Sequence, residues 1–260
     1  MNSEKSAVCL TKVRESSLNT LQTPTFAIMK KHIFFLSLAL IGFNILSAQL
    51  VEQSPILVRK TSDPIVIDGN LDEAAWKQGI PANNFWLYFP TDSIQANTGT
   101  EIYMMFDDKN LYVGAKCYSK GDDYVVPTLR RDYRAGSSDN ITLVFDPFND
   151  RINAFVFGMT PLGVRREALI FNGGQDGSDF ETSWDNTWTG EAGIHDGYWV
   201  AEFKIPFKTL RYNEGQTNWR FNSYRFDTQS NETSTWMRIP RNQIIMNLAF
   251  MGQMNWEEAP

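Results

Sequence analysis

From residue 55 onward the chain is built from short apolar runs that recur every ten or so residues, with turn residues between them. In "TEIYMMFDDKNLYVGAKCY" two β-rich runs flank Asp107, Asp108, Lys109 and Asn110, which predicts a hairpin with a four-residue loop. "NITLVFDPFNDRINAFVFGMT" predicts a second hairpin. Ile141, Leu143 and Phe145 share one face, residues 147–151 turn the chain, and residues 154–159 return. Residues 161–163 break that strand, and residues 164–171 resume extended structure. "NTWTGEAGIHDGYWVAEFKIPF" predicts a third hairpin turning at Asp196 and Gly197, with Trp199, Ala201, Phe203 and Ile205 on one face. "WRFNSYRFD" and "TSTWMRIP" read as two later strands, and residues 206–210 as a single helical turn. Helical periodicity is almost absent, so the pattern predicts an all-β fold, an antiparallel β-sandwich.

The exception is "PIVIDGNLDEAAWKQG" at residues 64–79. Ile65, Val66 and Ile67 form a β-branched run, and Asp68 with Gly69 gives a turn. Asp72 is placed as the N-cap of a short helix near residues 72–78, with Glu73 favoured by the helix dipole. Leu71 and Trp76 occupy the two positions of a hydrophobic staple.

Two irregular stretches interrupt the strands, residues 119–139 and 172–186, and long loops tend to carry function. The second contains Asn172, Asp176, Asp179, Glu181, Asp185 and Asn186 among glycines. Hard oxygen ligands on a flexible loop suit calcium, with Asp176, Asp179, Glu181 and Asp185 as the metal candidates. The spacing is not that of an EF-hand loop, and a solvated acidic loop accounts for the same residues. Sugar recognition needs aromatic faces beside planar hydrogen-bonding groups. Trp184 and Trp188 border the acidic loop, Arg131 and Asp139 lie in the other loop, and Trp86 lies on a strand at the sheet edge. Taken singly, a tryptophan is more often a core residue than a ligand platform, and it is the combination with bidentate groups in irregular segments that points to sugar.

Charge and composition narrow the field. Met29, Lys30 and Lys31 precede a 14-residue apolar run, Ile33 to Leu46, and a small residue, Ala48. That order is a secretory signal peptide over residues 29–48, too short to span a membrane at about 20 residues. Residues 1–28 show no apolar periodicity and are read as an over-extended start. Residues 49–260 form the single expected domain, exported to the periplasm, the outer-membrane surface or the exterior. Residues 1–48 hold Lys5, Lys12, Arg14, Lys30 and Lys31 against Glu4 and Glu15, so 19 basic and 28 acidic side chains remain beyond them, a net charge of −9. Such a surface repels phosphate backbones and makes nucleic acid a poor partner. Past residue 48 there is one cysteine, Cys117, in an apolar strand pattern, and one histidine, His195, beside a turn. These counts leave no internal disulfide, no histidine-rich zinc site, and only a turn histidine for a catalytic triad.

"IVIDGNLDEAAW", "EIYMMFDDKNLYVGAKCY", "ITLVFDPFNDRINAFVFGMTPLGVRREAL", "YWVAEFKIPFKTLRY" and "NLAFMGQMNW", in that order, resemble the family 9 carbohydrate-binding module. The closer likeness is to the version at the N-terminus of bacterial envelope proteins that carry a C-terminal barrel-like domain of unknown function. It spans residues 55–256. The resemblance implies a β-sandwich, recognition of a poly- or oligosaccharide through aromatic residues, and structural calcium. It further implies a non-catalytic module with a role in carbohydrate catabolism. The envelope relatives continue well past the equivalent of Pro260, so an outer-membrane barrel domain is the expected partner if this chain is a fragment. Two other readings remain open: a structural or partner-docking sandwich without a sugar site, and a glycoside hydrolase using two of the many carboxylates.

Overall fold

The computed structural model describes residues 53–260; the expected signal peptide and the stretch before it lie outside them. Thirteen strands form two facing sheets. They are β1 (Ile56–Lys60), β2 (Trp86–Phe89), β3 (Thr100–Phe106), β4 (Asn110–Tyr118), β5 (Asn140–Asp146), β6 (Ala154–Met159), β7 (Arg165–Ile170), β8 (Phe180–Glu181), β9 (Thr189–His195), β10 (Tyr198–Pro206), β11 (Asn218–Asp227), β12 (Glu232–Thr235) and β13 (Gly252–Trp256). One sheet runs β9-β10-β4-β3 and the other β8-β7-β6-β5-β11-β13, with β12 pairing both β11 and the edge strand β2. The three predicted hairpins, β3–β4, β5–β6 and β9–β10, are present.

β1 departs from the antiparallel expectation. Its first half pairs parallel with β13 and its last two residues pair parallel with β3, so one short strand joins the two sheets. The five residues of β1 bury Ile56 and Val58 and leave Leu57 exposed, the alternation of a strand covered on one face.

The main core lies between the sheets. Trp199, Ala201, Phe203 and Ile205 of β10, with Val113, Ala115 and Cys117 of β4, meet Ile141, Leu143, Phe145, Phe157 and Phe221 from the opposite sheet. Each fully buried phenylalanine contributes roughly 1.5–3 kcal/mol. Cys117 is buried, and that burial pushes its thiol up to about 12, as expected for a packed rather than reactive cysteine. Both sheets are also covered on their outer faces. Val144, Val156, Ala168 and Ile170 pack with Leu248 and Met251. This explains why all seven residues of β5 are buried.

The other outer face is covered by residues 64–79, and here the sequence expectations need correction. Residues 65–67 pair with no strand, and Val66 is exposed. Only Trp76–Gln78 forms a helical turn, of the 3-10 type, with Ala75 rather than Asp72 at its N-cap. The polar residues of the segment are used for docking instead of helix capping. The Asp68 and Gly69 N–H groups donate to one carboxylate oxygen of Glu202 on β10, at 2.9 and 2.8 Å. Glu73 turns back to accept from the Val66 N–H at 2.9 Å. Leu71 and Trp76 do share a cluster, anchored on Met105 and Tyr112 of the sheet. Gly69 has φ +88°, and a Cβ there would lie 2.8 Å from the backbone of Ala192 and Gly193. The motif is therefore an extended strap latched onto the sheet.

Candidate functional site

The clearest ligand-sized depression beside a sequence-selected residue is a cleft of about 370 Å³ next to Trp184. Small-molecule sites usually fall between about 300 and 1,000 Å³. Trp184 is half-buried. Its ring packs on Phe155 at 5.2 Å and on Phe157 at 6.1 Å, both from β6. Phe148 and Phe171 add aromatic wall, while Asn153 and Arg211 supply polar groups at the rim. The floor is part of the core: Phe155, second residue of β6, is buried and pairs with Phe145 on one side and Leu169 on the other. A planar, partly exposed ring on a rigid aromatic base can stack against the C–H face of a pyranose.

The other proposed sugar residues are not gathered around this cleft. Trp188 is buried, which removes it from the two loop tryptophans offered as a sugar-binding face. It stacks on Phe203 at 5.5 Å and 16°, and its Nε1–H donates to Glu167 Oε2 at 3.1 Å. Glu167 is itself buried and is neutralised by an ion pair with Arg131. Arg131 also donates to the Asn186 carbonyl at 3.2 Å, so it fastens two loops together. Asp139 is buried and staples a loop, accepting from the N–H groups of Val125 at 2.7 Å and Thr228 at 2.8 Å. It precedes β5, whereas Phe155 pairs with Phe145 at the far end of that strand. Six residues at 3.3 Å each separate them by about 20 Å. Trp86 is half-buried on β2, beneath the Arg238 guanidinium at 5.7 Å, and β12, β11 and β5 lie between β2 and β6, the strand under Trp184.

The carboxylates of the acidic loop are engaged in local turns. Asp176 caps the 3-10 turn Gly177–Asp179 by accepting from Ser178, and this hydrogen bond lowers its pKa. Asp179 answers by accepting from the Gln175 and Asp176 N–H groups at 3.0 Å each. Glu181 is held low by the Ser183 N–H, and Asp185 is exposed. Each of the first three carboxylates is spent on a local turn. Among the described residues no three histidine, cysteine or acidic side chains converge as a metal site.

A larger groove, of about 530 Å³, was not anticipated from sequence. It lies on the outer face of the first sheet, beside the strap. Outward alternation places Tyr103, Lys116 and Tyr198 on that face, a signal available in the sequence but spent on core prediction. His195 stacks on one face of Tyr198 at 4.8 Å and 13°, and the Lys116 ammonium covers the same ring at 4.1 Å. Lys116 also lies 4.9 Å from the Tyr118 ring. Tyr198 is thus packed against both His195 and Lys116. His195 is more than a solvated turn residue, since its Nε2 also pairs with the Gly69 carbonyl at 3.0 Å. Glu202, below the strap, has its pKa raised to about 7. Burial is the main cause, opposed by the Asp68 and Gly69 N–H groups and assisted by the charges of Glu73 and Asp68. It is fully buried, so this acid fastens the strap rather than facing a cleft.

No family model and no curated protein matches the chain. Solved structures do. A family 9 carbohydrate-binding module from Caldicellulosiruptor kristjanssonii, in complex with cellotriose, is similar with a TM-score of 0.53 and 16% identity, over 78% of this chain and 93% of that one. The same organism's module in complex with glucose gives 0.52 and 15%, over 78% and 96%. A Bacteroides uniformis protein described as a candidate carbohydrate-binding protein gives 0.59 and 11%, over 79% and 100%. At these identities the likeness is one of architecture: the chain has the fold of the family 9 carbohydrate-binding modules.

Proposed function

We propose that this chain is a non-catalytic carbohydrate-binding module, and that its sugar is held in the cleft at Trp184. The carrying observation is the half-exposed Trp184 ring set on Phe155 and Phe157, beside free polar groups. The architecture shared with modules solved in complex with glucose and cellotriose supports the same reading. Neither Trp188 nor Trp86 competes, the first being buried and the second lying under Arg238. Export through residues 29–48 belongs to the proposal, because polysaccharides are met outside the cytoplasm; the exported product should begin near Gln49 on N-terminal sequencing. The test of binding is calorimetric titration with a panel of soluble oligosaccharides, repeated on Trp184→Ala. Loss of a stacking ring should weaken binding by roughly 1–3 kcal/mol. Unchanged affinity in that variant would move the site elsewhere, and no binding across the panel would leave the sandwich a structural module.

A further inference from the structure

The charge pattern of the Trp184 cleft selects among saccharides. Arg211 is the sole charged residue that lines it. Among the described residues Arg211 makes no ion pair and no side-chain hydrogen bond, although the chain carries an excess of acid. Several charged side chains in this part of the fold are engaged, although Asp185 beside Trp184 is exposed. Arg131 is paired with Glu167, Arg165 donates to the Trp188 carbonyl at 3.0 Å, and Glu181 accepts from Ser183. Arg220 donates toward the Met251 carbonyl. Arg211 is left with its five donors in a planar fork, at the rim of a cleft whose other lining residues, apart from Asn153 and Thr209, are aromatic or aliphatic.

We infer that the cleft takes a uronic acid residue of an acidic saccharide, its ring on Trp184 and its carboxylate on Arg211. This rests on the carbohydrate reading and narrows it. An aromatic base accepts the C–H face of any pyranose, but only a uronate adds a carboxylate that a guanidinium grips with two parallel hydrogen bonds. Asn153 at the same rim offers an amide to neighbouring hydroxyl groups. A neutral hexose would leave the guanidinium with hydroxyl partners alone.

The experiment compares oligogalacturonate and oligoglucuronate with uncharged oligomers of glucose and galactose of matched length, on the full exported chain, at low and at moderate salt. Uronates should bind about tenfold more tightly than the matched neutral sugars, the lower range for a charge-assisted pair at an exposed rim. That preference should shrink as salt is raised, and Arg211→Gln should abolish it. Arg211→Lys, which keeps the charge but not the fork, should restore part of it. Arg211 is exposed, so both variants should melt with the parent. Equal affinity for charged and neutral sugars, or a uronate preference that survives Arg211→Gln, would overturn the inference while leaving carbohydrate binding intact. Binding to neither class would overturn both.

Discussion

Replacing Glu202 with glutamine isolates the latch between the strap and the sheet. Glu202 is fully buried, its Oε2 accepts from Asp68 and Gly69, and its Oε1 has no partner. Burial holds its pKa at about 7, against about 4.5 for the ordinary side chain. A carboxyl whose folded pKa lies above its unfolded value binds its proton more tightly in the native state. The stability it contributes is therefore fully present below about pH 4.5 and is lost as pH rises through about 7. At 1.36 kcal/mol per unit, this one group should lower stability by roughly 2–3 kcal/mol between pH 5 and pH 8. Glutamine keeps an acceptor for the two backbone donors and cannot ionise, so Glu202→Gln should lack that component. Urea unfolding of both proteins across this range gives the comparison directly, because other titrating groups cancel in the difference. The parent should be the less stable of the two at pH 8 by an amount that narrows toward pH 5. A difference that stays constant with pH would refute the account of Glu202 as a buried acid.

Trp188→Ala should cost about 3–5 kcal/mol of stability, since it empties a core site against Phe203 and removes the Nε1–H donor to Glu167 Oε2; a shift in urea midpoint under a tenth of the parent value would contradict its burial. Gly69→Ala should destabilise by about 1–3 kcal/mol through positive φ and the 2.8 Å approach to Ala192 and Gly193, and a thermal melt matching the parent would remove the latch geometry. Melting curves with calcium and with a chelator should coincide, because the carboxylates of residues 172–186 cap turns instead of converging; a rise of several degrees with calcium would place a metal site elsewhere in the chain.

The hairpins were legible because their information is local: period-two alternation on β10 and β5, and turn residues at Asp196 and Gly197. Residues 64–79 were misread for the opposite reason. Their capping residues and β-branched run satisfy local rules, but the partners that decide the outcome, Glu202 and Gly114, lie on distant strands. A Cβ at Gly114 would meet Leu71 at 2.5 Å. The same holds for the paired tryptophans. Trp184 and Trp188 stand four residues apart in a loop with similar neighbours. One is drawn into the core by Phe203 and Glu167, the other is left on a ledge of β6. Asp139 read as a sugar-binding group and Asp179 as a calcium ligand because sequence does not show which backbone N–H groups a carboxylate will meet. Composition could still mark the region of the cleft, through an aromatic residue at the end of a long polar loop, but not the Phe155 floor or Arg211.

Crystals of the chain grown with the tightest-binding oligosaccharide test the central claim most directly. A pyranose ring should lie on Trp184, within about 4 Å of its face, in the cleft bordered by Phe155, Asn153 and Arg211. A sugar seated instead in the tyrosine groove beside the strap, with Trp184 untouched, would contradict it.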